Sequence, residues 1–475
     1  MAVDAIGSLM MNFLVYAQRV LGVFEEAIAE AKAAGTDKIA VVALPVMGAF
    51  PDLDMVRRAR ALGAVFYVHD PLRNIELLSA GSVATHELQG RDAIAQARAA
   101  FAGDLHRKAG DALASPLFYG GFAFAPGGER SGAWSAWPDG LWVWPRWQWV
   151  KEGGRVLLIV SVRVNKDTNS HEAYRELQKE LATMGDVERE TDGVRDQPSV
   201  ISAESTQADA WTTAVRTTVA EIRAGKLAKA VLARRVVLQS FDGFDALTAI
   251  QNLKTSNPTS VSFYWRHQDT EFVGATPERL VETRGQQVMI DCLAGTALRG
   301  RTDYEDDEWG EKLLHSAKDL NEHDLVRTGV LAAVAGVAQV SAPSAPKLRR
   351  LTHVQHLHTP IRGELLAGKT LFDLVACLHP TPAVAGLPKD SAAKVIAARE
   401  PIDRGYYAGP IGWMDADGNG TFVVALRSGL LHGNRAELYA GAGIVGDSDA
   451  AAEWEETTWK LAPMKAALGV ESELE

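Results

Sequence analysis

Residues 117–165 contain the runs FYGGFAFAP (118–126), GLWVWPRWQWV (140–150) and RVLLIVSVRV (155–164), separated by turns rich in Gly, Pro and Asp. Each run is short and dense in aromatic or β-branched residues, so this part of the chain reads as sheet. The Trp-rich segment from Trp134 to Trp149 alternates like a strand, and sheet packing accounts for it better than a cofactor site. Towards the N-terminus, Ala27 to Ala34 is helix-like and KIAVVALPV (38–46) is strand-like. Towards the C-terminus, a polar stretch from Gly185 to about Ala208 has few large apolar residues and reads as a connector. It divides a strand-rich portion, 1–200, from a second region, 205–467. Beyond it Trp211, Val215, Val219 and Ile222 share one helical face, and AVLARRVVL (230–238), SVSFYW (260–265) and TFVVAL (421–426) read as strands. Further helices are expected around 307–336 and 450–467. The class is α+β, with no solenoid-length repeat and no low-complexity tract.

The chain has 475 residues, 47% of them hydrophobic, and a formal charge of −11. That charge gives no field to draw in nucleic acid or an anionic membrane, so neither is expected as a partner. An anionic substrate would need cations or a metal ion gathered locally. The two cysteines, Cys292 and Cys377, form no CxxC pair and read as reduced core residues. The first twenty residues have no basic n-region, and no run reaches the roughly 18 apolar residues that span a bilayer. They read as an amphipathic helix of a cytoplasmic protein.

Three motif-like segments carry little. GGFAFAPGGER (120–130) lacks the Gly-Lys-Ser/Thr ending of a phosphate loop. DADGNG (415–420) resembles the start of a calcium loop, but the twelfth position is Leu426, and a hairpin turn fits better. His353, His356 and His358 lie too close together along the chain to converge on zinc without a special backbone.

Two acidic pairs are more informative. Asp319 and Glu322 lie three apart in HSAKDLNEHDLV (315–326), and Glu453 and Glu456 lie three apart in AAEWEETTWK (451–460). On a helix each pair shows two carboxylates on one face. Either alone is best explained as a solvated face. Two such faces brought together repel unless a hard cation sits between them, and all-oxygen ligation suits magnesium. Lys229, Arg427 and Lys460 could each be ordinary surface charges. Arg427, however, stands in the apolar run VVALRSGLL (423–431), where an unpaired guanidinium is costly and an anion is its expected partner. GAGIVG (441–446) offers backbone N–H groups to a carboxylate.

The segment from about 209 to 467 resembles the chorismate-utilising enzymes, which include isochorismate synthases, salicylate synthases, anthranilate synthase large subunits and aminodeoxychorismate synthases. The resemblance rests on KAVLAR (229–234), GATPERL (274–280), LAGT (293–296), KDLNEH (318–323), VQHLHTPIRG (354–363), LHPTPAVAGLP (378–388), GYYAGPIG (405–412), ALRSG (425–429), AGAGIV (440–445) and EWEETTWK (453–460), in that order. It implies one large α+β unit of two packed sheets with helices outside. It implies Lys229 as the general base that activates water and Glu278 as the general acid that protonates the departing C4 hydroxyl. Glu322 and Glu456 match direct magnesium ligands, while Glu453 and Asp319 match carboxylates acting through metal-bound water. Tyr407, Arg427 and Lys460 match side chains that hold the substrate carboxylates. Gly441 and Gly443 match backbone donors, Gly295 and Thr296 of the LAGT block belong to the substrate site, and His358 lines the ring pocket.

These roles make physical sense. Chorismate is a dianion and needs a metal and several cations. Hydroxide is a poor leaving group, so Glu278 must hold a proton near neutral pH, which burial and nearby carboxylates favour. Lys229 must be neutral to accept one. Within the family, aminodeoxychorismate synthases carry a nucleophilic lysine where this chain has Ala294, which leaves room for water. Ala383 stands where amine-using and salicylate-forming members tend to have Thr. The expectation is a magnesium-dependent isochorismate synthase, an isomerase, with salicylate synthase as the alternative, no glutaminase partner and a monomeric state. A non-catalytic chorismate-binding protein has no reason to keep both acid and base, and a dinuclear hydrolase leaves the cations unexplained.

Overall fold

A computed structural model describes residues 13–46, 50–111, 115–186, 200–352 and 354–470. Hydrogen bonding runs unbroken through all its strands, but they form two layers. The layers share one long antiparallel pair, Ile75–Leu88 with Gly140–Glu152. From the start of this pair the first sheet runs through Val65–Asp70, Val261–His267, Thr270–Thr276, Ser428–His432 and Arg435–Ile444 to Lys229–Ser240. From its far end the second runs through Leu117–Phe122, Pro410–Asp415, Gly420–Val424, Arg279–Arg284 and Gln287–Leu298 to Val354–Leu365.

The alternation expected of the aromatic runs explains the layering. On Leu117–Phe122, Tyr119 points inward and stacks on Phe66 of the first sheet, centroids 4.5 Å apart, with Trp265 edge-on at 5.6 Å to Phe66. Its neighbour Phe118 points outward, against Phe101 and Trp142. On Gly140–Glu152, Trp142 and Trp144 pack near Phe118 while Trp147 and Trp149 join the core beneath the helices Ala17–Ala34 and Ser170–Asp186. All four are fully buried, and truncating any one to Ala costs about 3–5 kcal/mol. Trp134 and Trp137 depart from the expected strand and lie in and after a 3-10 turn, Gly132–Ala136.

The polar connector also departs from expectation. Val200–Ser205 is a largely exposed strand that pairs with Lys229–Ser240, and its polar composition hid it. Residues 187–199 of that connector, residues 1–12 of the expected N-terminal helix and His353 lie outside the described residues. Strands from both sides of residue 200 pair in both sheets, so the two portions form one unit. The helical stretch around 307–336 is two helices, Asp303–His315 and Ala317–Val334. DADGNG closes a hairpin, with Asp415 Oδ1 accepting from the N–H groups of Asp417 and Asn419, each at 2.9 Å. No helix among the described residues is long and apolar enough to cross a membrane.

Candidate active site

Four kinds of element build the site, and local sequence explains the first three. Ser316 breaks the helical run and caps Ala317–Val334, its hydroxyl accepting from Asp319 N at 3.3 Å. Asp449 caps Ala450–Ala467 in the same way, accepting from Ala451 N and Ala452 N at 3.1 and 3.0 Å. Both acidic pairs therefore fall near helix N-termini, where the helix dipole favours carboxylates.

The strand Arg435–Ile444 supplies the floor. Its alternate residues Glu437, Tyr439, Gly441 and Gly443 share a face, and side-chain bulk vanishes along that face towards Lys229 on the paired strand. The glycines are needed there. A Cβ on Gly443 would meet Glu322 Oε1 at 2.5 Å and Lys229 Cε at 2.9 Å, and one on Gly441 would meet Leu232 O at 3.2 Å.

A third element is a bulge at Gly295, which adopts φ +76° and shifts the pairing of Gln287–Leu298 with Val354–Leu365 between Ala294 and Thr296. The fourth corrects the sequence reading. VVALRSGLL is not one strand; it breaks between Val424 and Ser428, and Arg427 adopts φ +50°. This left-handed conformation is unusual for a residue with a side chain, and it occurs where the guanidinium reaches the cavity.

One cavity gathers Glu278, Ala294, Gly295, Thr296, Glu322, His356, Arg404, Tyr407, Arg427, Tyr439, Gly441, Gly443, Glu456 and Lys460. Of the expected residues, Lys229, Asp319, Glu453 and His358 are not among its lining. Lys229 is 1% exposed and lies behind Gly443, its Nζ 2.8 Å from Glu322 Oε1. His358 turns instead to Asp291, Nε2 to Oδ1 2.9 Å. The histidine in the lining is His356, which pairs with Thr296 just past the bulge and bonds its hydroxyl through Nδ1 at 3.1 Å.

The electrostatics are uneven. The Glu278 carboxyl has no hydrogen-bond partner among the described residues; only its backbone is held, by Thr276 and Val424. Burial, with help from Asp291, pushes it up to about 7 against the pull of Lys229. Burial pushes the Tyr407 hydroxyl up to about 12, so it stays a donor. Burial, together with the positive charges of Arg427 and Lys460, pulls His356 down to about 3 and keeps it neutral.

Two guanidiniums face the cavity and differ in kind. Arg404 is satisfied by Glu400 and by the carbonyls of Val384 and Val231 at 3.0 and 2.8 Å. Arg427 has no carboxylate within ion-pair distance among the described residues. Burial lowers its pKa, against the pull of Tyr407, Glu456 and Glu278. Of the two guanidiniums in the lining, Arg427 is thus the one without a carboxylate partner among the described residues, and the Tyr407 hydroxyl and Lys460 share that lining.

The four carboxylates of the helices feel one another. Burial raises Asp319, opposed by its bond to Ser316 and assisted by Glu322 and Glu456. Burial and then Glu456 raise Glu453. For Glu456 burial works upward, but Lys460 prevails and holds the group low. Three of the four are tied to lysines: Glu322 to Lys229 at 2.8 Å, Glu453 to Lys318 at 3.1 Å and Glu456 to Lys460 at 2.5 Å. Among the described residues no three His, Cys, Asp or Glu side chains converge as they stand on one ion position. The all-oxygen donor set and the repulsion within it fit a hard divalent cation, which would require carboxylates to turn from their lysines.

Sequence reading missed His356, Arg404 and Tyr439 in the lining. His356 was in view, as an alternate residue of a strand beside the LAGT block. Tyr439 is in step with Gly441 and Gly443, a period-2 signal. Nothing local marks Arg404.

Known proteins similar to this chain match most of its length. The chorismate binding enzyme family model matches residues 26–469. The isochorismate synthase MenF of Bacillus subtilis is 38% identical over 362 residues, 75% of each chain. The salicylate biosynthesis isochorismate synthase of Pseudomonas aeruginosa is 35% identical over 374 residues, 74% of each. The structure of MenF, the menaquinone-specific isochorismate synthase of Escherichia coli, superposes with a TM-score of 0.77 at 24% identity, covering 93% of this chain and all of that one. With the family model spanning nearly the whole fold and these relatives matching most of it, the chain belongs to the chorismate-binding enzyme family.

Proposed function

We propose that the protein is a magnesium-dependent isochorismate synthase, converting chorismate to isochorismate. The observation that carries this reading is the Glu278 carboxyl, without a hydrogen-bond partner among the described residues and held near a pKa of 7, in one cavity with the Tyr407 hydroxyl, Lys460 and Arg427, which has no carboxylate partner among those residues. An acid that is protonated near neutral pH beside an anion site suits expulsion of a hydroxyl from a dianion. The curated relatives named as isochorismate synthases point the same way.

Arg427, Tyr407 and Lys460 bind the substrate carboxylates, with the backbone of Gly441 and Gly443 beside them. Ala294 leaves space above the ring for a water molecule. Lys229, once it has parted from Glu322 and given up its own proton to solvent, accepts a proton as a neutral amine while that water adds at C2. The ring double bonds shift, the C4–O bond breaks, and Glu278 gives its proton to the departing hydroxyl, which leaves as water. One water enters and one leaves, so the product is an isomer of the substrate. Glu322 and Glu456 would hold magnesium directly, and Glu453 and Asp319 through water. The ion supplies charge neutralisation and orientation of the ring carboxylate. A cytoplasmic, monomeric enzyme without a glutaminase subunit completes the proposal.

The test is incubation of the purified protein with chorismate, with magnesium or with EDTA, and chromatographic resolution of products. Isochorismate formed only with magnesium supports the proposal. Salicylate with equimolar pyruvate would make the protein a salicylate synthase, and bound but unconverted chorismate would leave it a binding protein.

A further inference from the structure

The loop that presents Tyr407 is clasped by a segment far away in sequence. Ser131 N donates to Asp403 Oδ2 at 2.8 Å, and Arg130 Nη1 to Asp403 Oδ1 at 2.9 Å. Phe124 N donates to Gly405 O at 2.8 Å, and Tyr406 Oη to Pro138 O at 3.1 Å. At the centre is Trp134, which is completely buried and stacks on Tyr406 at 5.9 Å. Gly405 adopts φ +50°, and a Cβ there would lie 2.0 Å from the Trp134 ring, so this indole and this glycine fit only each other.

Trp134 also reaches the cavity wall. Its Nε1 donates to Tyr439 Oη at 2.9 Å, and Tyr439 Oη donates to Glu437 Oε2 at 2.8 Å. Arg235 and Arg435 anchor Glu437 at 3.0 and 3.1 Å. An indole N–H can only donate and a carboxylate can only accept, so both roles of the Tyr439 hydroxyl are fixed. The Tyr439 ring in turn stacks on Tyr407, centroids 5.3 Å apart and planes 19° apart. The Tyr407 hydroxyl itself has no hydrogen-bond partner among the described residues.

We propose that Trp134 and Tyr439 are positioning residues, which through the hydrogen bond between them hold the Tyr407 ring at the angle that presents its hydroxyl to a substrate carboxylate. This gives the N-terminal portion an indirect part in substrate binding, through Tyr439 and Tyr407. The inference rests on the reading of the cavity as a chorismate site. It concerns two residues that make no hydrogen bond to substrate in that reading.

The experiment compares the full chain with Trp134→Phe, Tyr439→Phe and the double variant in steady-state turnover of chorismate, alongside thermal unfolding. Tyr439→Phe keeps the stacked ring and removes only the hydroxyl. Each single variant is expected to raise KM about tenfold, the scale of one lost hydrogen bond, with kcat within about threefold. The double variant is expected to be no worse than the poorer single one, because both break the same link. Lower melting temperatures with unchanged KM, or KM effects that multiply in the double variant, would overturn the inference. If Trp134→Phe does not fold, an unchanged KM in Tyr439→Phe alone overturns it. Failure of the wild-type protein to turn over chorismate would instead remove the reading of the cavity, and this inference with it.

Discussion

Gly443 and Glu322 face each other so closely that a Cβ on the glycine would stand 2.5 Å from the carboxylate oxygen, and 2.9 Å from Cε of Lys229, which is paired with that carboxylate. Both obstructing atoms belong to side chains, so the fold can yield where the ion pair cannot. Gly443→Ala is expected to change stability by less than about 1 kcal/mol while lowering kcat/KM about 100-fold. Denaturant unfolding beside turnover of chorismate checks this. Equal losses in both would mean that Gly443 serves the fold.

Glu278 should set the alkaline limb of the pH profile. Its ordinary value of 4.5 rises to about 7 in the folded chain, chiefly through burial. Only the protonated form can act as an acid, so kcat/KM is expected to fall as pH rises through about 7. Between 4.5 and about 7 the folded chain holds a proton that the unfolded chain releases. The group's contribution to stability is therefore complete below pH 4.5 and is lost as pH climbs through that window. Glu278→Gln is expected to cost about 10²–10⁴-fold in kcat and to abolish the limb. It should also make the protein more resistant to denaturant than wild type above pH 7. An unaltered pH–rate profile would remove Glu278 from its role.

Arg427 combines a half-buried position, no carboxylate partner among the described residues and φ +50°. Arg427→Ala keeps the backbone strain but removes an uncompensated charge. It is expected to stabilise the substrate-free protein by about 1 kcal/mol. At the same time KM for chorismate should rise at least about tenfold, as expected for loss of a charged hydrogen-bond donor. A destabilised variant with normal KM would show that Arg427 is a structural cation.

The lysine-tied carboxylates predict a competition that calorimetry can read. Glu322→Gln and Glu456→Gln are expected to weaken magnesium binding by more than the roughly 10–100-fold that loss of an outer partner costs. Glu453→Gln should fall within that range. EDTA should abolish turnover of the wild-type protein, and added magnesium should restore it. Equal magnesium affinity in all four proteins would place the ion elsewhere.

Much of the molecule was legible in its sequence because local rules govern it. FYGGFAFAP was read as sheet from its composition and flanking turns, and its strand buries its two faces separately, with Tyr119 inward and Phe118 outward. The i, i+3 carboxylates were readable because a helix places such residues on one face whatever surrounds it. Glu278, Tyr407, Gly441 and Lys460 were legible as motif members, and all four line one cavity. What the tertiary structure alone decided depends on contacts between distant segments. VVALRSGLL has no Gly or Pro between Val424 and Ser428 to announce its interruption at Arg427. His356 rather than His358 enters the lining because the bulge at Gly295 lies on a different strand. Lys229 meets Glu322, and Trp134 meets Gly405 and Tyr439, only once the two layers pack. Periodicity along the chain encodes which face a residue occupies, but partners hundreds of residues apart are chosen by the packing of the layers.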